Sequence, residues 1–337
     1  MNAAGDARLA ALRDWISGID AIAGCEPVVA SADASFRRYF RVAAGANSFI
    51  IMDAPPEQED CLPFIRVAGF LETMQINAPR VLEADLDAGF LLLTDLGTRS
   101  YLDELEQQPD VKDTLYYDAM KALLVMQRRG EALQALLPPY DEKLLRFELS
   151  LFHDWLCELH VGMTFTAEDE RNWQSLCDGL VDNALHQPQV FVHRDYHSRN
   201  LMRTERNNPG ILDFQDAVEG PLTYDLVSLL KDCYVRWPAA QVRQWALRYY
   251  AQLDEIMRTC VDERQFRRYF ELMGVQRHLK AAGIFARLNH RDGKARYLAD
   301  IPRTLSYIVE LGDDYEELRF VVDIIERHVL PAFGEQK

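Results

Sequence analysis

The stretch His193-Arg194-Asp195-Tyr196-His197-Ser198-Arg199-Asn200, followed by Asp213-Phe214-Gln215, says more than the rest of the chain. It sets out an Asp, an Asn five positions later, and a second Asp thirteen beyond that. Each stands beside a short apolar run. Val190-Phe191-Val192 leads in, Leu201-Met202 leads out, and Gly210-Ile211-Leu212 delivers Asp213. Such runs read as buried strands, and polar groups at their ends face a cleft. Phosphoryl transfer needs this set of groups: one carboxylate to orient and deprotonate a hydroxyl, and an amide with a second carboxylate to hold Mg²⁺ on phosphates. A lone His-x-Asp reads as a turn whose Asp accepts backbone N–H bonds. Three matched positions, each beside a strand, go beyond that.

The bulk composition narrows the class. A chain of 337 residues suggests about two domains, and 48% hydrophobic with 27% charged residues is the balance of a soluble globular protein. A net charge of −16 argues against a nucleic-acid surface. It suits a cationic acceptor, but acidity also serves solubility. Cysteines 25, 61, 157, 177, 233 and 260 show no CxxC or metal-ligand spacing, as expected of reduced thiols in a cytosolic protein. The N-terminus does not read as a signal peptide. Leu9, Leu12, Trp15, Ile16 and Ile19 after it fall at helical spacing. No apolar run reaches membrane-span length, so a cytoplasmic protein is expected.

The first hundred residues read as five strands around one helix. The strands are Pro27 to Ala30, Tyr39 to Val42, Ser48 to Met52, Arg80 to Ala84 and Phe90 to Thr94, with Cys61 to Met74 helical. After Asp95-Leu96-Gly97 the pattern turns helical from Tyr101 to about His186, broken at Leu137-Pro138-Pro139-Tyr140. The strand-rich motif block follows, and helical patterns return from Leu222.

A sheet region, a short hinge and a helical region carrying HxDxxxxN resemble the protein-kinase-like superfamily, closest to its aminoglycoside-phosphotransferase and choline-kinase branch. The segments Asp33 to Arg41, Met52-Asp53-Ala54-Pro55-Pro56, Leu93 to Gly97 and Gly274 to Lys280 narrow this further. Together they resemble the anomeric N-acetylmuramate/N-acetylglucosamine kinases of bacterial cell-wall sugar recycling. The resemblance implies an α+β, bilobal, protein-kinase-like fold. Residues 1–96 would form a small antiparallel-sheet, nucleotide-binding lobe with one helix. Residues 97–337 would form a larger, mainly helical lobe carrying the catalytic loop and acceptor site.

On this reading Asp195 is the catalytic base, and Asn200 and Asp213 are the Mg²⁺ ligands, hard oxygens for a hard cation. His193 is expected to pack and bond the backbone that aims Asp195. Asp225 can be read as a third ligand, but the resemblance implies that it caps backbone N–H groups of the loop. The nucleotide side departs from the kinase pattern. The loop Asp33 to Arg38 has no glycine, leaving Ser35 and backbone amides to meet phosphate. The third strand ends Ile51-Met52-Asp53 with no Lys, so its charge falls to Arg37, Arg38 or Arg41. Thr94 and Leu96 of the hinge are expected to meet adenine through backbone groups.

For the acceptor the candidates are Glu148, His153, Asp154, Trp155, His197, Gln276, Arg277 and Lys280, with a basic residue available for the lactyl carboxylate of N-acetylmuramate. ATP, Mg²⁺ and a small amino sugar are therefore the expected ligands, with no nucleic acid, membrane or obligate protein partner. Two alternatives stand beside this. One is an aminoglycoside- or choline-type phosphotransferase; the other is a degenerate kinase that only binds nucleotide or a partner, suggested by the absent Lys and glycines.

Overall fold

The computed structural model describes residues 3–32 and 36–334. The chain divides into two compact units, Met1–Arg99 with Met202–Asp216 and Ser100–Leu201 with Ala217–Lys337. A sequence boundary at residue 97 assigns Met202–Asp216 to the second region, whereas this segment packs with the first. Ser35 lies outside the described residues.

The first unit opens with α1 (Ala3–Ser17), β1 (Val28–Ala32), β2 (Arg38–Ala44) and β3 (Asn47–Asp53). It continues through α2 (Leu62–Thr73), β4 (Val81–Asp85) and β5 (Phe90–Thr94). The strands form one antiparallel sheet in the order β1-β2-β3-β5-β4. The register places Phe40 opposite Ile51 and Ile51 opposite Leu92, so these three share a face. That face packs with Leu12 and Ile16 of α1 and with Ile22. Each fully buried aliphatic or aromatic chain there contributes roughly 1.5–3 kcal/mol. Met52, Leu91 and Leu93 alternate with them and are buried as well, so the sheet is apolar on both sides.

In the returning segment, Phe214 stacks on Phe64 of α2 with ring centroids 4.7 Å apart. Gly210 is pressed so closely by Leu96 that a Cβ would lie 2.8 Å from its Cδ1. A larger residue there would push aside the hinge.

The second unit begins with α3 (Tyr101–Gln107), α4 (Lys112–Gln134) and α5 (Glu142–Leu151). A π-helical segment, Phe152–Val161, and α6 (Ala167–Leu185) follow. The starts of α3 and α6 are fixed by capping boxes, Ser100 with Asp103 and Thr166 with Asp169. Next comes β6 (Gln189–Val192); the short strand β7 (Leu201–Met202) carries the chain into the segment that belongs to the first unit and holds β8 (Gly210–Ile211), and β9 (Val218–Pro221) in the second unit pairs antiparallel with β6. The chain then runs helical through α7 (Tyr224–Leu230), α8 (Ala239–Tyr250), α9 (Glu255–Cys260) and α10 (Glu263–Asp292). It ends with α11 (Ile301–Val309), α12 (Arg319–Ile324) and α13 (Leu330–Gly334).

α10 is the longest of these helices, at 30 residues, and is buried along its middle. Gly283 lets it lie directly on the junction of α5 with the π-helical segment. A Cβ there would overlap Leu151, 2.3 Å from its carbonyl carbon. This close approach brings α10 side chains alongside those of α5. Among the described residues no helix is long and apolar enough to cross a membrane.

Candidate active site

β6 carries the chain into the loop that begins at His193, which is fully buried. The first two loop amides point at Asp225, the second residue of α7. His193 N–H donates to its Oδ2 at 2.7 Å and Arg194 N–H to its Oδ1 at 3.0 Å. Arg194 sits at φ 78°, a left-handed conformation that is costly for a side-chain-bearing residue and is held by these two bonds. The Asp195 amide then donates to His193 Nδ1 at 3.2 Å. The Asp195 carbonyl accepts the His197 amide and the Asn200 side-chain Nδ2, both at 3.0 Å. With Nδ2 so engaged, Asn200 Oδ1 is turned the opposite way. Further along, Asp232 accepts the Ser198 and Tyr234 amides, each at 2.9 Å. The loop is thus pinned by two buried carboxylates, and Asp195 lies between the pins.

Beside it stands a buried polar network built on Glu148 of α5, which is 2% exposed. Glu148 Oε1 accepts Arg194 and the Lys280 ammonium, the latter at 2.9 Å. Its Oε2 accepts the Tyr140 hydroxyl and Gln276 Nε2, the latter at 3.2 Å. Lys280 also donates to the Tyr224 hydroxyl at 2.9 Å. Arg277 lies over the Tyr224 ring, 5.9 Å from its centroid, and among the described residues its one hydrogen-bond contact is a long one to Cys233 Sγ, 3.9 Å away.

Burial alone would raise the pKa of Asp195, but Lys280, His197, Arg277 and Arg194 hold it below the usual carboxylate value. Glu148 is likewise pushed up by burial and pulled below its ordinary value by Lys280 and Arg194. Burial lowers the His197 pKa, which favours the neutral imidazole. Several buried polar atoms around Asp195 have no hydrogen-bond partner among the described residues: His197 Nδ1, Ser198 Oγ, Gln276 Oε1 and Arg277 Nε. Buried polar groups are normally satisfied, so a concentration of open ones beside a carboxylate marks a place for a polar ligand.

In the first unit, Asp213 sits at φ 62° and accepts Gln215 Nε2 at 2.8 Å. Gln215, standing where protein kinases have glycine, therefore orients this carboxylate. Asn200 and Asp213 both offer oxygen donors of the kind Mg²⁺ takes. The three arginines separate clearly. Arg38 pairs with Asp53 of β3, which is fully buried and also bonded by Arg8. Arg41 bonds Asp95 through Nε at 2.6 Å and Nη2 at 3.1 Å, and reaches the Gly97 carbonyl. Arg37 makes looser contacts, 3.9 Å to Glu59 and 3.8 Å to Asp213. The Thr94 backbone and hydroxyl pair with Arg80, and Leu96 packs on Gly210.

The acceptor candidates also divide. Glu148, His197, Gln276, Arg277 and Lys280 lie in or beside the network around Asp195. His153 bonds elsewhere, with Nδ1 2.8 Å from Asp154 and Nε2 3.2 Å from Glu170. Five and six residues beyond Glu148, His153 and Asp154 fall on other sides of a helix with a period of 3.6. Trp155, inside the π-helical turns, is half-buried. Sequence reasoning missed Arg194, Tyr140, Tyr224 and Asp232. Arg194 stood within the quoted motif, but its partner Glu148 is 46 residues away.

The loop pin titrates. Burial raises Asp225 to about 7, against the two amide bonds that favour its charged form. Because the folded value exceeds the unfolded value of about 4, the group stabilises the fold fully below that pH. This contribution is lost as pH rises through about 7. The difference in unfolding free energy between the parent and Asp225→Asn should therefore be largest near pH 4 and shrink toward pH 8. Urea titrations across that range measure it, and a difference independent of pH would contradict the assignment.

With this geometry in place, the comparisons are specific. Residues 28–264 match the family model described as "Phosphotransferase enzyme family". The chain is 47% identical over 314 residues to the N-acetylmuramate/N-acetylglucosamine kinase of Pseudomonas aeruginosa, covering 90% of this chain and 91% of that protein. It is 40% identical to the protein of the same name from Neisseria meningitidis, covering 91% and 92%. Among solved structures, a choline/ethanolamine kinase family protein from Mesorhizobium loti aligns with TM-score 0.61 at 14% identity, covering 94% and 99%. The ADP-bound aminoglycoside phosphotransferase APH(2'')-Ib aligns with TM-score 0.56 at 16% identity, covering 89% and 97%. Both are similar in fold to this chain, whose sheet-built first unit and mainly helical second unit are of the protein-kinase-like type. The chain belongs to the phosphotransferase enzyme family.

Proposed function

We propose that this protein transfers the γ-phosphoryl group of ATP to the anomeric hydroxyl of N-acetylmuramate or N-acetylglucosamine, giving the sugar 1-phosphate in the recycling of cell-wall sugars. The names of its relatives support the sugar class. The observation that carries the choice of acceptor is the positive field at Asp195. Lys280, His197, Arg277 and Arg194 together outweigh the effect of burial there. Lys280 and Arg194 are paired with Glu148, while Arg277 makes no ion pair among the described residues, so a carboxylate-bearing sugar meets it more favourably than a cationic aminoglycoside or choline.

In this mechanism Asp195 accepts a hydrogen bond from the anomeric hydroxyl, aligns it for in-line attack, and takes its proton late. An anomeric hydroxyl is more acidic than an ordinary alcohol, so a carboxylate held in its charged form suffices. Asn200 and Asp213 are the oxygen donors assigned to Mg²⁺, which when bound neutralises phosphate charge. Lys280 is already paired with Glu148. Arg277, 5% exposed and with Nε open, is the cation left to hold the lactyl carboxylate. The open Gln276 Oε1 and His197 Nδ1 are suited to sugar hydroxyls.

A panel of amino sugars, simple sugars and aminoglycosides with ATP and Mg²⁺, scored by ADP release and by the position of the phosphate, tests the reaction. Turnover is expected on the two amino sugars and should fall by orders of magnitude in Asp195→Asn with ATP affinity nearly unchanged. Phosphate found elsewhere than C1, or a variant that keeps most of its activity, would refute it.

Arg277→Leu should raise KM for N-acetylmuramate by about tenfold or more while changing that for N-acetylglucosamine much less, since only the former carries a carboxylate. An equal effect on the two sugars would remove Arg277 from this role.

On the nucleotide side, Arg37 is the arginine beside Asp213 and stands in for the absent Lys. Arg37→Ala should weaken ATP binding by about 1.5–3 kcal/mol and adenosine binding hardly at all. Arg38→Ala and Arg41→Ala should instead lower thermal stability, because each strips a buried carboxylate of a partner. Calorimetric titration and melting curves separate the two outcomes.

A further inference from the structure

A cavity of about 180 Å³ opens in the helical unit among α8, α10 and α11. Its floor is Lys231, the residue after α7, which is 7% exposed. Its walls are Trp237, Phe266, Phe270 and Tyr307. The ammonium sits 5.0 Å from the centroid of the Phe270 ring, and among the described residues no carboxylate lies within ion-pairing distance of it. The two acids nearest in effect are already engaged. Glu271 accepts Arg267 and Tyr315, and Glu310 accepts Arg236. Burial has lowered the Lys231 pKa to about 8, and the charges of Glu271 and Glu310 offset it only in part. An ammonium buried without a partner is costly, and a ligand carboxylate would supply one.

The rest of the lining restricts what that ligand can be. Arg243 and Arg267 join Lys231 on the basic side, against Glu263, Glu271, Glu310 and Asp314 on the acidic side. This balance repels a nucleotide or phosphate but accepts a zwitterion, with its carboxylate on Lys231 and its ammonium toward the acids at the rim. A cavity of about 150 Å³ holds a benzene, so this one has room for a branched or aromatic side chain between its rings.

The position ties this cavity to the catalytic loop. α7 carries Asp225, the pin of His193 and Arg194, at its other end. The Lys231 carbonyl accepts His278 Nε2 at 2.8 Å on α10, the helix that also bears Arg277 and Lys280. The next residue, Asp232, holds the Ser198 amide of the loop.

We propose that this cavity is an effector site for a free apolar α-amino acid, whose carboxylate pairs with Lys231 and whose binding alters acceptor affinity through α7 and Asp232. The effector role rests on the phosphotransferase reading above; the binding does not, and it is tested separately. L-phenylalanine and L-leucine are titrated calorimetrically into the full chain, with 3-phenylpropionate and phenethylamine as probes lacking the ammonium or the carboxylate. At least one amino acid should bind with a Kd of about 1 mM or tighter, and each truncated probe about tenfold more weakly. Lys231→Met should abolish binding. Ala239→Trp, which crowds the exposed rim, should weaken it, keeping the test decisive if the first variant fails to fold.

In the coupling arm, saturating amino acid should shift the KM for the acceptor sugar about threefold or more in the parent and not in Lys231→Met. Binding that persists undiminished in Lys231→Met, or no binding by either amino acid at about 20 mM, overturns the site. Binding with an unchanged acceptor KM overturns the effector role. Absence of any sugar turnover counts against the kinase reading and leaves the binding arm to decide the site.

Discussion

The helical unit depends on one buried carboxylate. Glu148 joins α5 to the loop after β6 through Arg194, to α10 through Lys280 and Gln276, and to the α4–α5 connection through Tyr140. Two cations and two neutral donors share its two oxygens, so its charge is compensated and its lone pairs are satisfied. Burying a carboxylate this way gives little net stability. Removing one partner of a buried pair, by contrast, typically costs about 3–5 kcal/mol, because the remaining charge is stranded. The network therefore specifies geometry more than it adds free energy. It fixes where Arg194 points, and with it the strained turn from which Asp195 projects. Gly283 makes the arrangement possible by letting α10 reach α5 at backbone contact.

The sheet unit solves a different electrostatic problem. Where protein kinases carry a lysine on the third strand, β3 ends in Asp53, fully buried and bonded by Arg8 and Arg38. A phosphate-binding cation cannot stand there, and the arginine opposite Asp53 in the register is occupied by it. Arg41 is similarly fixed by Asp95. Arg37, just before β2, instead lies 3.9 Å from Glu59 and 3.8 Å from Asp213. The acid at the end of the third strand and the arginines of β2 are thus linked, because Asp53 takes Arg38 where a lysine would otherwise stand.

Much of this was legible in the sequence. Strand positions followed from alternation, and β5 runs Phe90–Thr94 as expected. The Asp195, Asn200 and Asp213 spacing named the central loop because each residue stands beside a strand. Other features carried no local signal. β9 contains Gly220 and Pro221, residues that ordinarily break strands, and exists because it pairs with β6. The π-helical segment after Leu151 has no compositional mark. Three arginines within five residues could not be ranked, because what separates them is the partner each meets, on β3, in the hinge, or in a segment more than 150 residues away. The divided fate of the α5 candidates was readable in principle, since residues five and six positions apart do not share a helix face.

Net charge was the weakest guide. A chain at −16 suggests affinity for cations, yet the cations Lys280, Arg277 and Arg194 act on Asp195 strongly enough to help hold it below the usual carboxylate value. Screening explains the contrast. Surface carboxylates act through water and salt and fade within about 10 Å, whereas buried groups a few ångströms apart are screened much less. The net charge is a property of the whole surface, and the electrostatics at Asp195 are set by the few cations close to it. Arg277 then matters because it is buried and its guanidinium and the Asp195 carboxylate each favour the other's charged form. Glu148 is shared by Arg194 and Lys280, and Asp225 by the loop amides, so the carboxylates whose charge reaches Arg277 are Asp195 and Asp232 of the loop region itself.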